Sequence, residues 1–329
     1  MNYFNAAKKV TQLVGKEVNK HTGTKTYSDK DKQQIAKATD AASSTDRDSK
    51  PLQVLIYTHN IRFDTKKLVD GEKPWSERKQ GVIHLIKQAT SNPNLPAIVS
   101  LQEVLHNQLQ DILHGLGPDW TYFGVGRDNG DTHGEYSPIL FNKQDWEPVF
   151  TKTFWLSETP SKPSKSWDAA FNRIVTNVIL KNRKVQGRST KVINMFNTHF
   201  DHRGKEARKQ SALLIVKLME EAPVGGGSGA GGKLVLTGDL NSDPNAEGYQ
   251  TLANFLQESG VKAQKIEGER RTCTGFCNGG DGESIIDFIW TSQNVPILYH
   301  ATQSQLCGGE EGYECLCSDH RPVIAIVEI

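Results

Sequence analysis

The chain has 329 residues, 39 Lys and Arg against 38 Asp and Glu, a net charge of +1 and 36% apolar residues. That balance excludes a chain gathered onto nucleic acid by a global basic field and one kept unfolded by its own charge; a folded protein with ample material for a core is expected. No apolar run reaches the roughly 18 residues of a membrane span, and the N-terminus lacks the apolar stretch of a secretory signal, so an intracellular, cytoplasmic protein is expected, with mitochondrial import or non-classical export as alternatives.

Residues 1–50 read as a unit apart from the rest. Met1 to Lys20 carries Phe4, Ala7, Val10, Leu13, Val14 and Val18 at helical spacing with lysines on the other side. A helix packed on the domain is expected there, with contact to a membrane surface or a partner, or an import signal, as alternatives. From His21 to Lys50 the residues are mostly Thr, Ser, Asp and Lys, which predicts a solvated or disordered connector.

The domain expected over residues 51–329 opens with the apolar strand Pro51 to Asn60, then a helix from Trp75 with Val82, Leu85, Ile86 and Ala89 on one face. Pro96 to Glu103 is a second buried strand, followed by a helix striped with Leu105, Leu109, Ile112 and Leu113. Strands are predicted at Gly134 to Phe141, Thr151 to Leu156, Arg173 to Leu180 and Lys191 to His199, and a helix from about Glu206 to Glu221. Gly225 to Gly232 is nearly all glycine and serine and predicts a flexible surface loop. The strand Lys233 to Asp239, a short helix near Ala246 to Gly260, the strand Ser284 to Trp290 and the segment Ser318 to Ile329 complete the chain.

All five cysteines, Cys273, Cys277, Cys307, Cys315 and Cys317, lie in the last fifth of the chain. Their spacings fit no standard zinc pattern, and an odd number without a signal suits a reducing compartment. Free or structural thiols are expected, with disulfides or a zinc site as alternatives.

Polar groups recur where the apolar runs stop: Asn60, Glu103, His199, Asp239, Asn241, Asp287, Asp319 and His320. Strand ends that share one edge of packed sheets would collect them in a single cleft. Asp239 and Asn241, two residues apart, project to one side of extended chain and could hold a hard cation together with a phosphate oxygen. One such histidine alone is commonly structural; eight positions at one kind of place argue for a site.

The ordered set Asn60-Ile-Arg, Leu101-Gln-Glu103, Thr198-His199, Gly238-Asp-Leu-Asn241, Ile286-Asp-Phe-Ile and Ser318-Asp-His320 resembles the endonuclease/exonuclease/phosphatase superfamily. Phe154-Trp-Leu-Ser-Glu158, Ser166-Trp-Asp168 and Thr198-His-Phe-Asp-His202 further resemble a microbial and fungal branch of it. The resemblance implies an α/β fold, a four-layered sandwich of two mixed sheets packed face to face and flanked by helices.

Phosphoester hydrolysis needs a cation against developing charge, a base for water and donors for the phosphoryl oxygens. Glu103 is the best candidate for the main ligand of a hard cation, with Asn60 beside it, as the resemblance also implies; Asp319 is expected to complete the site through water. An all-oxygen shell suits Mg²⁺, with Mn²⁺ able to substitute. The resemblance makes Asp287 the orienting partner of His320, the base, and Glu135 the acidic partner of His199, and a carboxylate is expected to raise each imidazole's pKa. It assigns Asp239 to the nucleophile, Asn241 and His199 to the phosphate, and Arg173 to gripping that phosphate, where the residue type alone equally allows a solvated cation. Trp155, Trp167, Phe171, His202, Arg203 and Arg208 are candidates to line the groove, the tryptophans having core packing as their alternative. The leading expectation is a nuclease on DNA or RNA; the alternatives are a phosphatase or phosphodiesterase for a small phosphoester, and a non-catalytic binding module.

Overall fold

The computed structural model describes residues 26–39, 50–185, 190–222, 232–276, 283–307 and 315–329. Two mixed sheets of seven and six strands lie at its centre. In the first, β1 (Gln53–Asn60) runs parallel to β2 (Ala97–Gln102) and antiparallel to the C-terminal β15 (Val323–Glu328). In the second, β7 (Val192–His199) runs parallel to β8 (Leu234–Asp239) and antiparallel to β6 (Ile174–Asn182), while β11 (Asp287–Thr291) lies antiparallel to β8.

These strands read as continuous apolar runs because both of their faces are covered. Val54, Ile56, Ile98, Val178, Leu180, Ile193, Met195, Val235 and Ile289 meet between the sheets. The intervening residues point outwards. Tyr57, Val99 and Leu101 pack under the helices Trp75–Ala89 and His106–Leu116, and Phe196, Leu234 and Leu236 pack under the helix Lys205–Glu221. The period of two in the strands and the apolar stripes of the helices thus give four layers, helix, sheet, sheet, helix. Among the described residues no helix is long and apolar enough to cross a membrane.

Several boundaries differ from the sequence reading. The expected connector between His21 and Lys50 contains a helix, Asp29–Thr39, docked on the outer face of the second sheet. Its start is a capping box: Asp31 N–H donates to Ser28 Oγ at 3.1 Å and Ser28 N–H to Asp31 Oδ2 at 2.8 Å. Low hydrophobicity hid it, because two apolar side chains do most of the docking. Ile35 is fully buried, and Tyr27 sits edge-on to Phe154 at 5.1 Å with its hydroxyl donating to Asn177 Oδ1 at 2.9 Å. Tyr27→Ala is expected to lower unfolding free energy by about 3 kcal/mol, the range for emptying a buried aromatic site; urea melts of both proteins would show it, and a change under about 1 kcal/mol would mean the segment is not anchored there.

The strand expected from Gly134 begins only at Ile139, and the helix expected over 246–260 is split into Glu247–Ala253 and Ser259–Lys262. Strands Trp120–Phe123 and Ile297–Thr302 were not anticipated. The Met1 to Lys20 helix and all but Gly232 of the glycine-rich loop lie outside the described residues, as do the side chains of Cys277, Cys307 and Cys315; Cys273 and Cys317 are free thiols.

Candidate active site

Strand direction explains why distant residues meet. Asn60, His199 and Asp239 end β1, β7 and β8, and Glu103 follows β2; Arg173 and Asp319-His320 precede the antiparallel strands β6 and β15, and Asp287 begins β11. Ends of one set and beginnings of the other fall on the same edge of the sandwich. Asp287 is opposite Asp239, and His199 is level with Asp239. The chain leaves two of these strands through strained backbone, Glu103 at φ 59° and Asn241 at φ 44°, a left-handed conformation rare for such residues and common where a side chain must be aimed.

The paired groups come from different sheets. Asn60 Nδ2 donates to Glu103 Oε1 at 3.1 Å and to Asp239 Oδ2 at 3.0 Å, clamping the first sheet's carboxylate to the second's. Its Oδ1 accepts the Arg62 N–H at 3.0 Å. Glu103 Oε2 accepts the Phe63 N–H at 3.1 Å. Burial, reinforced by Asp287, raises the pKa of Asp239; burial, reinforced by Glu103, raises that of Asp319 against the pull of His320 and Arg62. The protein alone therefore gathers more negative charge here than it neutralises, and the donors are oxygens, a setting that fits a hard divalent cation. Asp239, Asp287 and His320 offer ligand atoms within 4.8 Å of one another. His320 Nδ1 and Asp287 Oδ2 are, however, bonded to each other at 2.8 Å, so two of these three groups already engage one another.

The two histidines are set differently. Burial pushes His320 down, but the charge and hydrogen bond of Asp287 prevail and hold it well above the usual value. His320 Nε2 faces Asp239 Oδ2 at 3.9 Å. His199 departs from the expectation of a raised pKa: burial, then the Arg173 charge, bring it down to about 3. Glu135 stands 3.7 Å from His199 Nδ1, too far for a hydrogen bond, because Arg127 Nη1 engages the same carboxylate oxygen at 2.7 Å. His199 is neutral at pH 7, and Asn241 Nδ2 lies 2.9 Å from its Nε2.

Arg173 is 5% exposed, and its Nε and Nη1 have no hydrogen-bond partner. Its nearest acids are offset or occupied. Glu135 is 4.0 Å away, and Asp201, 3.5 Å away, already accepts from Arg203 and Gly204 N–H with one oxygen and Ala170 and Phe171 N–H with the other. Against the upward push of burial, those four donors hold Asp201 well below the usual carboxylate range. His202 and Arg203 are exposed at the rim, and Trp167 is half-buried with φ 57°. Trp155 and Arg208 stand behind it, buried, with Trp155 Nε1 donating to Arg127 O at 2.7 Å and Arg208 Nη1 to Asp201 O at 3.0 Å.

Sequence reasoning missed Arg127 and Asn197, and it gave Asp168, Asp201 and Gln102, members of the quoted motifs, no role of their own. Asp168 Oδ1 accepts the Ala207 N–H at 2.7 Å, capping the helix Lys205–Glu221 from another loop, since Gly204 offers no side chain to do so. Gln102 Nε2 donates to Asn197 Oδ1 at 2.7 Å, and Asn197 Nδ2 to Leu101 O at 2.8 Å, joining the sheets just beneath the site. A carboxamide inside an otherwise apolar strand was the available signal.

A scan against protein-family models matches residues 57–320 to the Endonuclease/Exonuclease/phosphatase family. The chain belongs to that family, whose members are phosphoester hydrolases, generally dependent on a divalent metal. Among solved structures, an endonuclease/exonuclease/phosphatase from Bacteroides vulgatus is 35% identical, with a TM-score of 0.74 over 84% of this chain and 99% of its own. A mannosyl-6-phosphatase from Bacteroides thetaiotaomicron is 30% identical, with a TM-score of 0.73 over 83% of this chain and 99% of its own. D. rerio TDP2, solved with a single-stranded DNA product, is 14% identical, with a TM-score of 0.58 over 84% of this chain and 98% of its own, and shares the fold. A search of curated proteins finds no match.

Proposed function

We propose that this chain hydrolyses the phosphate monoester of a small, hydroxyl-rich alcohol with Mg²⁺, which Mn²⁺ can replace. The observation that carries the reading is Arg173, a buried guanidinium with unmet donors beside His199 and Glu135. A terminal phosphate brings a second negative charge and an extra free oxygen to such a group, where an internal diester brings one charge. The mannosyl-6-phosphatase likeness supports a sugar-like alcohol, and the net charge of +1 gives little hold on a long polyanion.

In this reading Asp287 fixes the His320 tautomer so that Nε2 takes the proton of the attacking water, and Asp239, facing that nitrogen, orients the water. Arg173 binds phosphoryl oxygens, and Asn241 Nδ2, donating to His199 Nε2 and Phe200 O, sets the imidazole beside them. Neutral His199 accepts from Asn241 at Nε2, and its Nδ1, without a hydrogen-bond partner among the described residues, is left as a donor for the phosphate end. A divalent cation at Glu103 and Asp319 would supply the charge that stabilises the transition state, and its positive charge would disfavour the protonated form of His320.

Cleavage of DNA or RNA is the second reading, favoured by the exposed Arg203 and the exposed aromatic Phe171 at the rim. EDTA-treated protein, with and without added Mg²⁺, separates the two on a hexose 6-phosphate, single-stranded DNA and RNA. Phosphate release from the sugar ester, rising at least about a hundredfold with Mg²⁺, is expected. Polymer cutting without monoester turnover would replace the first reading by the second.

A further inference from the structure

Phe171 and His202 lie beside the phosphate end and take no part in the chemistry assigned above. Among the described residues five large apolar side chains are exposed, and Phe171, at 49%, is the aromatic one among them. A single exposed apolar side chain is ordinary in itself; what distinguishes this one is its position. It stands in a chain of contacts that leads to the phosphate groups. The Phe171 and His202 rings stack with centroids 5.7 Å apart and planes 22° from parallel. His202 Nδ1 lies 3.3 Å from Arg173 Nη2, and the Arg127 guanidinium carbon stands 5.1 Å from the Phe171 ring centroid.

The wall is also held still. Asp201, 1% exposed, accepts the Ala170 and Phe171 N–H groups at 3.0 and 3.2 Å and the Arg203 and Gly204 N–H groups at 2.9 Å each. One buried carboxylate therefore fixes the backbone at Phe171 and the turn just after His202, on two separate loops. A preorganised aromatic surface loses little entropy when a ligand packs on it.

We infer that Phe171 and His202 form the subsite for the alcohol ring of the substrate, and that this ring is a saccharide. Its C–H surface would lie on the exposed part of Phe171, and a hydroxyl would meet His202 Nε2, the ring nitrogen not engaged by Arg173. A sugar ring sits close to its ester phosphate, as the wall sits against the phosphate-binding arginine; a nucleobase lies farther out, beyond its ribose. The inference rests on the monoester reading above and names the part of the substrate that the site distinguishes.

The test compares kcat/KM for a hexose 6-phosphate and for glycerol 3-phosphate, which has no ring, in the wild type, Phe171→Ala and Phe171→Trp, all with Mg²⁺. The selectivity ratio is expected to fall about tenfold in Phe171→Ala, carried by KM with kcat nearly constant, the size measured for one aromatic contact. Phe171→Trp should restore it. Equal losses on both esters would show that Phe171 only supports the loop, and an unchanged ratio would show that no ring is read there; either overturns the subsite while leaving the phosphatase reading in place. Wild-type inactivity on both esters would instead overturn the monoester reading, and the subsite with it.

Discussion

His320→Gln is expected to reduce kcat on any phosphate ester by about a thousandfold, within the range for loss of a positioned proton-transfer group. His320 and Asp287 are 5% and 2% exposed and bonded at 2.8 Å, so the imidazole has one orientation and cannot be replaced by a mobile water. Glutamine retains a donor towards Asp287 and most of the volume, which separates chemistry from folding. Its amide cannot accept and release a proton at neutral pH. Release of inorganic phosphate, measured beside a thermal melt, is the check; a kcat within about tenfold of wild type, with the fold intact, would remove His320 from proton transfer.

Arg173→Met separates activity from stability in the opposite sense. Loss of a preorganised donor to the phosphoryl oxygens should lower kcat/KM by about 10²- to 10³-fold. Stability should not fall with it. Burial disfavours the Arg173 cation and lowers its pKa, its Nε and Nη1 are unbonded, and its neighbours have other partners: Arg127 on Glu135 at 2.7 Å and four backbone N–H groups on Asp201. Removing one member of a buried ion pair is costly when it strands the other; here Glu135 and Asp201 keep their own donors, so the change is expected to stay within about 1 kcal/mol of zero. Chemical denaturation of the two proteins measures the difference; a loss above about 1 kcal/mol would show that Arg173 is a structural ion and not one kept for substrate.

Much of this arrangement was readable from strand ends. Asn60, Glu103, His199 and Asp239 stand where apolar runs stop, and those runs are strands because both their faces are buried. Asp287 and His320 belong to the same set, while their pairing and the place of Arg173 came from resemblance to the family, and antiparallel pairing brings them to the same edge. What escaped was interaction between loops. Nothing local to Asp168 tells that it caps a helix starting at Lys205, and nothing near Asp201 tells that its carboxylate holds Phe171; both contacts join segments about thirty or more residues apart. The pKa of His199 escaped for the same reason. Its sign is set by burial and then by the charge of Arg173, surroundings built from distant segments that residue types do not reveal. The docked helix Asp29–Thr39 was lost to composition, since polarity outweighed the one buried isoleucine.

Two hydrogen-bonded pairs in the site join the two halves of the sandwich: His320, just before β15, with Asp287 of β11, and Asn60 of β1 with Asp239 of β8. The centre is in that sense a seam, closed only when the two halves of the sandwich are aligned. Side chains such as Ile98, Val178 and Met195 never approach a substrate, yet they act as the dowels that set this alignment. A repacking there that the fold tolerates could still move one half-site against the other, and hydrogen-bond geometry forgives only a few tenths of an ångström. Selection for catalysis would then reach deep into the hydrophobic interior, while the loops at the rim stay free to change what is bound.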